Sequence, residues 1–312
     1  MARISVLFPV YNVAAYVAEA LESIQSQTFS DIEIVVVDDG STDNTLPIVE
    51  QIALSDARIK IVRAPRNLGL PAALNFGLPF CQAPLIARMD GDDIALPTRL
   101  EKQFQFLEQN PEIDLVGCAT TAIDCSGNPI PGLSVSRKPE NEEAVARTML
   151  LGAPCLHIWL ARRQVYDALS GYREMECAED YDFLLRALTA GFHVTNLPEA
   201  LMKIRTRSGN LSSRLEQRKA HYYIIRLCRE RLAYGKDSYS PEAYRKAVKM
   251  GKIEGALFRL AISCASRGLR SQNWIASRLL LAASAMISPW QSRYFFDRMR
   301  FRILARRSMR LS

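Results

Sequence analysis

Residues 32–45 read IEIVVVDDGSTDNT. Five of the first six are apolar and most are β-branched, so the segment suits a strand buried on both faces, as in a covered parallel sheet. It stops at Asp38-Asp39-Gly40, and Ser41 or Thr42 then caps a helix over NTLPIVEQIAL. The same strand–loop–helix order recurs on either side. ISVLFPVYN, residues 4–12, is a buried strand, and AAYVAEALESIQSQ follows with Val17, Leu21 and Ile24 at helical spacing. IKIVRAP is a third strand, PAALNFGL a helix and PLIARMD a fourth strand. This alternation predicts an α/β fold with a mostly parallel central sheet flanked by helices. Ligands in such sheets bind outside the carboxyl ends of the strands, where Tyr11-Asn12, Asp38-Asp39 and Asp90 with Asp92 all fall.

Beyond about residue 110 the pattern loosens. DLVGCATTAIDCSGNPI reads as a hairpin with a Ser-Gly-Asn turn, residues 141–151 as a helix and CLHIWLA as a strand. AEDYDFLLRALTAG is a helix with acids in its first turn and Gly191 as its stop, and ALMKIRTRS a last strand. From 213 onward the reading is helical, with breaks near Gly235, Gly268 and Pro289.

The net charge of +7 hides an asymmetry: residues 213–312 hold 22 Lys+Arg against 6 Asp+Glu, the first 212 residues 18 against 27. Two regions are expected, 1–212 and a basic helical 213–312. Seven scattered cysteines without CxxC spacing, and an N-terminus without a leader-like segment, predict reduced thiols and a cytoplasmic protein. Three histidines disfavour a zinc site.

Asp90, Asp92 and Asp93 lie within four residues in LIARMDGDDIALP, residues 85–97. Side chains two apart on an extended chain point to one side, so Asp90 and Asp92 could make an oxygen site for Mn²⁺ or Mg²⁺, which could hold a diphosphate. The plainer alternative is a polar turn with Asp93 as a helix cap. Asp39 is placed to accept a hydrogen bond from the N3–H of uracil, beside a loop that Ser41, Thr42 and Asp43 also suit for helix capping. No GxGxxG or Walker lysine motif occurs. Glu179 and Asp180 open a helix, where the dipole alone favours acids by roughly 0.3–1 kcal/mol.

Taken in order, SVLFPVYN through VVVDDGSTDNT, RNLGLPAALNFGL, ARMDGDDIALPTRLEKQ and GYREMECAEDYDFLLR resemble glycosyltransferase family 2, the inverting GT-A-fold enzymes, of the bacterial polysaccharide or glycan type. The resemblance covers about residues 3–212. It implies a nucleotide half and an acceptor half in one α/β domain, with Pro9, Tyr11 and Asp39 around the uracil and Asn67, Gly69 and Asn75 nearby. It implies Asp90 and Asp92 as metal and diphosphate ligands, Arg88 and Asp93 as their neighbours, and Asp180 as general base. Glu179, His157, Arg205 and Arg207 fall on the acceptor or phosphate side. Three departures stand out: no acid follows YN, Ile158 stands where relatives often have proline, and Arg207 where they often have histidine.

The implied reaction is a metal-dependent displacement at the anomeric carbon of a nucleotide-sugar, most naturally a UDP-sugar, by a hydroxyl of a glycan or lipid-linked acceptor, for polysaccharide biosynthesis in the cell envelope. Two rivals are a phosphatase with an aspartate nucleophile and an inactive nucleotide-binding scaffold. A D-x-D on the fourth strand rather than the first argues against the phosphatase, and the presence of Asp92 and Asp180 against the scaffold. The basic region shows no nucleic-acid motif. RYFFDRMRFRILARRSMR reads as an amphipathic helix for the anionic cytoplasmic face of a membrane, with helical packing or dimerisation as the alternative.

Overall fold

The computed structural model describes residues 2–130, 135–206, 215–270 and 273–308. Four strands form the parallel half of the sheet: β1 (Ile4–Val10), β2 (Ile32–Asp38), β3 (Ile59–Arg63) and β4 (Leu85–Arg88). β1 pairs in parallel with β2 and β4, and β2 with β3. Every residue of β1 and β2 is buried, as their apolar runs require. Ile4, Val6, Phe8 and Val10 pack on α1 (Val17–Gln25) and α2 (Thr45–Ala53), with α4 (Arg99–Gln109) on the same side. Leu7, Val35 and Val37 face α3 (Leu70–Gly77) and α7 (Glu179–Thr189) on the other. Fully burying such a side chain is worth about 1.5–3 kcal/mol, so alternating residues of each strand bind the two helical layers.

The other half is mixed. β5 (Ile94–Ala95), β6 (Leu115–Ile123), β7 (Leu160–Arg162) and β8 (Val194–Arg205) complete eight strands in the order β3-β2-β1-β4-β7-β6-β8-β5. β7 runs antiparallel to β4 and β6, β5 antiparallel to β8, and β6 parallel to β8. Several expectations shift. CLHIWLA is a strand only from Leu160, so His157 lies in an irregular segment before β7. The hairpin turn forms, Asp124 N–H donating to the Asn128 carbonyl at 2.8 Å, but among the described residues its return arm meets β6 only at isolated bridges, Ile123 with Pro129 and Thr120 with Ser136. The expected helix over 141–151 is α5 (Glu142–Thr148), and α6 (Arg163–Leu169) follows β7.

The chain divides into two compact units, Met1–Ala146 with Ala153–Ser208, and Arg147–Gly152 with Gly209–Ser312. The second contains α8 (Leu215–Tyr234), α9 (Pro241–Val248), α10 (Lys252–Arg270), α11 (Trp274–Ile287) and α12 (Pro289–Ser308). The expected breaks occur at Gly235, shortly after Gly268, where α10 ends at Arg270 and α11 begins at Trp274, and before Pro289. α12 is helical but not the expected amphipathic stripe: Met299 and Phe301 fall on opposite sides of it, among its arginines. Arg302, Arg306, Arg307 and Arg310, on which that expectation also drew, lie outside the described side chains.

Gly40 shows why the β2 loop reads DDG. Its φ is +72°, and an added Cβ would sit 2.8 Å from the Asn67 nitrogen and 2.9 Å from the Arg66 carbonyl carbon. Backbone cannot retreat from backbone as a flexible side chain can. Gly40→Ala is expected to cost about 1–3 kcal/mol from strain at this position, read as a lowered urea midpoint with unchanged slope. A midpoint equal to wild type would show that the loop relaxes freely.

Candidate active site

Three loops at the carboxyl ends of β1, β2 and β3 are tied to one another. Asn12, at φ 50°, accepts Thr42 N–H at 2.8 Å and Asp43 N–H at 3.3 Å through Oδ1. Asp43 in turn accepts from Thr45 N–H at 2.9 Å and Ala14 N–H at 3.1 Å. Burial works against this carboxylate, but these bonds outweigh it and lower its pKa. Asp39, at the end of β2, is buried and accepts Leu68 N–H at 2.7 Å and Gly69 N–H at 3.0 Å. Burial raises its pKa in spite of these bonds. Asp39 thus shapes the 67–69 turn that it was expected to accompany. Asn67 is exposed there, its Oδ1 accepting Gly69 N–H at 3.1 Å. Pro9 is buried within β1, and Tyr11 beyond it is 43% exposed. Asn75 is drawn elsewhere: Nδ2 donates to the Tyr172 carbonyl at 2.7 Å and Oδ1 accepts Tyr172 N–H at 2.8 Å. It staples the loop after α6, with one amide N–H and one carbonyl lone pair engaged.

At the end of β4, Arg88 is 1% exposed. Its Nε donates to Asp90 Oδ1 at 3.1 Å, and its Nη2 lies 2.9 Å from Glu179 Oε1. Burial opposes the charge, but the two carboxylates hold the guanidinium firmly protonated. Its Nη1 is buried without a hydrogen-bond partner among the described residues. For Asp90, burial would raise the pKa, but Arg88 and His157 bring it down to about 2. Arg99, fully buried, donates from Nη2 to the Arg88 and Ile158 carbonyls, each at 2.8 Å. It fastens the β4 end to the segment carrying His157.

The acidic cluster differs from the expected pair. Asp93 N–H meets the Asp90 carbonyl at 3.3 Å, so residues 90–93 form a turn rather than an extended chain. A turn brings residues three apart, not two, to one side. Donor atoms of Asp90, Asp93 and His157 lie within 4.8 Å of one another, and Asp92 is not among them. His157 Nε2 is 3.4 Å from Asp90 Oδ2 and 3.7 Å from Asp93 Oδ2, buried and without a hydrogen-bond partner among the described residues. Two carboxylates and an unengaged imidazole nitrogen fit a divalent cation. Burial works against a charged His157, yet Asp90 and Asp93 raise its pKa to about 9. Burial also raises Asp93.

Arg205 was expected near acceptor or phosphate, but its donors are spent on this turn. Its N–H donates to Asp93 Oδ1 and its Nε to the Asp92 carbonyl, both at 2.8 Å, and its Nη2 to Glu19 at 2.5 Å. β8, antiparallel to β5, delivers it there. Arg207 lies outside the described residues.

The two acids opening α7 are in unlike surroundings. Glu179 is buried against Arg88. Asp180 is half-buried, its Oδ2 3.8 Å from His157 Nδ1. Asp93 as a candidate ligand, and Arg99 altogether, were missed from sequence. The i, i+3 spacing across Gly91 was the available signal for Asp93, while a buried arginine held by carbonyls leaves none.

The chain is similar to known proteins in sequence and in fold. The sequence profile described as Glycosyl transferase family 2 matches residues 5–170. The chain is 37% identical over 212 residues to the putative glycosyltransferase EpsE of Bacillus subtilis, covering 66% of this chain and 74% of that protein. It is 34% identical over 213 residues to the amylovoran biosynthesis glycosyltransferase AmsE of Erwinia amylovora, covering 67% and 79%. Among solved structures, S. aureus TarS 1-349 in complex with UDP-GlcNAc superposes with TM-score 0.62 at 19% identity, covering 99% of this chain and 90% of that one. The mannosyltransferase PcManGT of Pyrobaculum calidifontis, with GDP-Man and Mn²⁺, gives TM-score 0.58 at 19% identity, covering 97% and 85%. These likenesses show the GT-A fold.

A cation entering the Asp90–Asp93–His157 cluster must displace the His157 proton below pH about 9. Apparent Mn²⁺ affinity should therefore rise with pH, by about tenfold per unit for one proton released, and level off above that pKa. The raised Asp93 carboxyl acts in the same direction. Calorimetric Mn²⁺ titrations between about pH 6 and pH 8 measure this. A pH-independent affinity would remove His157 from the ligand set.

Proposed function

This chain belongs to glycosyltransferase family 2 and is a glycosyltransferase, and we propose that it transfers a hexosyl or N-acetylhexosaminyl group, with inversion, from a UDP-sugar to a hydroxyl of a growing glycan or lipid-linked acceptor. The observation that carries this reading is the position of Asp180, a half-exposed carboxylate 3.8 Å from a histidine that itself lies 3.4 Å from Asp90. A proton acceptor thus stands beside the acidic cluster rather than within it.

In this reading the uracil lies at the β1 and β2 ends, flanked by Pro9 and Tyr11, with Asp39 accepting from its N3–H on the lone pairs not used by Leu68 and Gly69. Asn67 and Gly69 border the ribose side. A divalent cation held by Asp90, Asp93 and His157 would neutralise the charge of the departing diphosphate. A histidine in the set supports Mn²⁺ over Mg²⁺, which takes oxygen ligands. Arg88 keeps Asp90 ionised and aimed. Asp180 takes the acceptor hydroxyl's proton as the oxygen attacks the anomeric carbon from the face opposite the diphosphate, so the configuration inverts. Glu179 cannot do this without abandoning Arg88. The UDP-GlcNAc bound by TarS supports the donor class, and the amylovoran biosynthesis named for AmsE supports a biosynthetic acceptor.

The helical unit is proposed to meet an anionic membrane surface. Among the described residues no helix is long and apolar enough to cross a membrane. Instead, Ile253, Leu257 and Leu260 expose one stripe of α10, and Ile275, Leu279 and Met286 one stripe of α11. Residues 252–312 carry 12 Lys+Arg against 2 Asp+Glu, which suits anionic headgroups rather than a neutral partner.

Asp180→Asn is nearly isosteric but cannot accept the proton. It should lower kcat by roughly 10²-fold or more, with UDP affinity near wild type, in a panel of nucleotide-sugars scored by nucleotide release with Mn²⁺. Unchanged turnover would make Asp180 only a helix-start acid. Separately, the protein should co-sediment with anionic vesicles at low salt and be released at high salt. Remaining in the supernatant at low salt overturns the membrane reading.

A further inference from the structure

The second unit contains a cavity of about 410 Å³ between the segment after α5, helix α8 and helix α12. Its polar lining is almost wholly cationic: Arg147, Arg229, Arg293 and Arg300, with Asp297 the one acid. The spacing explains the convergence. Arg293, Asp297 and Arg300 are four and three apart on one face of α12, while Arg229 lies one turn beyond the lining residue Ile225 on α8. Asp297 is engaged, accepting from the Tyr222 hydroxyl at 2.9 Å. Among the described residues, Arg229, Arg293 and Arg300 have no ion-pair partner. Arg293 instead stacks 4.0 Å from the Tyr222 ring and Arg300 5.7 Å from the Phe296 ring. Stacking fixes a guanidinium plane and leaves its N–H edges available.

Four guanidinium groups around one space repel one another, and in water they would point apart. Burial, with Arg218 and Arg293 beside it, also holds neighbouring His221 down at about 4, so that imidazole stays neutral. The rest of the lining is apolar: Leu150, Leu151, Ile225, Phe296 and Leu304. Arg229, Arg293, Arg300 and Phe296 are exposed, so the cavity opens to solvent. A simple inorganic anion would use the arginines and leave the apolar wall wet. A ligand with a phosphate and an attached hydrocarbon segment satisfies both.

We infer that this cavity is a phospholipid-binding site, the arginines holding the phosphate of an anionic headgroup and the leucine, isoleucine and phenylalanine side chains the first methylenes of its chain. Arginine suits the phosphate because its fork donates two parallel hydrogen bonds. The volume accommodates a headgroup and the start of a chain, not a whole lipid. The inference deepens the membrane reading of the helical unit, giving a specific headgroup contact where the α10 and α11 stripes give only a surface. It does not depend on the sugar-transfer site.

The test is calorimetric titration of the full chain with monomeric dihexanoyl phosphatidic acid, with inorganic phosphate and with dihexanoyl phosphatidylcholine. Phosphatidic acid is expected to bind at least about tenfold more tightly than either of the others. Arg229→Gln with Arg293→Gln should weaken it by about tenfold or more, and lysine at the same two positions by less, since the charge is kept while the fork is lost. Both side chains are exposed, and an unchanged thermal midpoint checks that the unit still folds. Equal affinity for inorganic phosphate would make this an anion site without lipid character and overturn the inference. So would undetectable phosphatidic-acid binding, or binding that the glutamine pair leaves unchanged. Vesicle co-sedimentation reads the surface contact separately, and donor hydrolysis reads the transfer site, so failure of one is distinguishable from failure of the others.

Discussion

Arg88 is a guanidinium almost wholly removed from water, held between Asp90 and Glu179. Stripping a cation of solvent costs several kcal/mol, and only close carboxylates offset it. That requirement joins two elements ninety residues apart, the end of β4 and the start of α7. Deleting one member of such a buried set leaves an uncompensated charge, typically about 3–5 kcal/mol. The same contact aligns the acidic turn and commits Glu179, so Asp180 is left as the more exposed carboxylate of the pair. A charge cluster that looks like frustration in sequence is therefore the brace of the site.

Around this brace the acids divide their work by what they already hold. Asp43 and Asp39 spend themselves on backbone amides and give the loops at β1 and β2 a fixed shape. Asp93 accepts the Arg205 amide with one oxygen and turns the other toward His157. Arg99 fixes the β4 end to the His157 segment through carbonyls, a neutral way of holding a buried cation. Among the described residues Asp180 accepts one hydrogen bond, from Tyr181 N–H at 2.7 Å, and lies 3.8 Å from His157. A general base must exchange protons with a substrate, and a carboxylate tied into a network of cations cannot do so readily.

The helical unit follows a different rule. Its core is made by aromatic and aliphatic contacts such as Tyr223 with Tyr244, and apart from pairs such as Lys219 with Glu254 its charge lies mostly outward and is cationic. Outward apolar stripes on α10 and α11, with few acids among the arginines, set it apart from the acidic first unit.

How much of this was legible in the sequence follows from the range of the forces. The apolar runs of β1 and β2, the alternation with helices and the helical character after residue 213 are local patterns, and they determined the fold class and placed the polar residues at the strand ends. The resemblance of the quoted motifs to a known family carried the activity. What the sequence could not decide was which members of each polar group meet. Asp90 pairs with Asp93 and His157 because a turn, closed by one backbone hydrogen bond, replaces the extended chain that would have paired it with Asp92. Asn75 and Arg205 leave the expected ligand shell because Tyr172 and the aspartate turn, far away in the chain, take their hydrogen bonds. Arg99 and the arginine-lined cavity have no motif at all. Strand and helix formation depend on neighbours a few residues apart, which a sequence displays, whereas the choice of partner for a buried charge depends on distance in space, which only the tertiary structure sets.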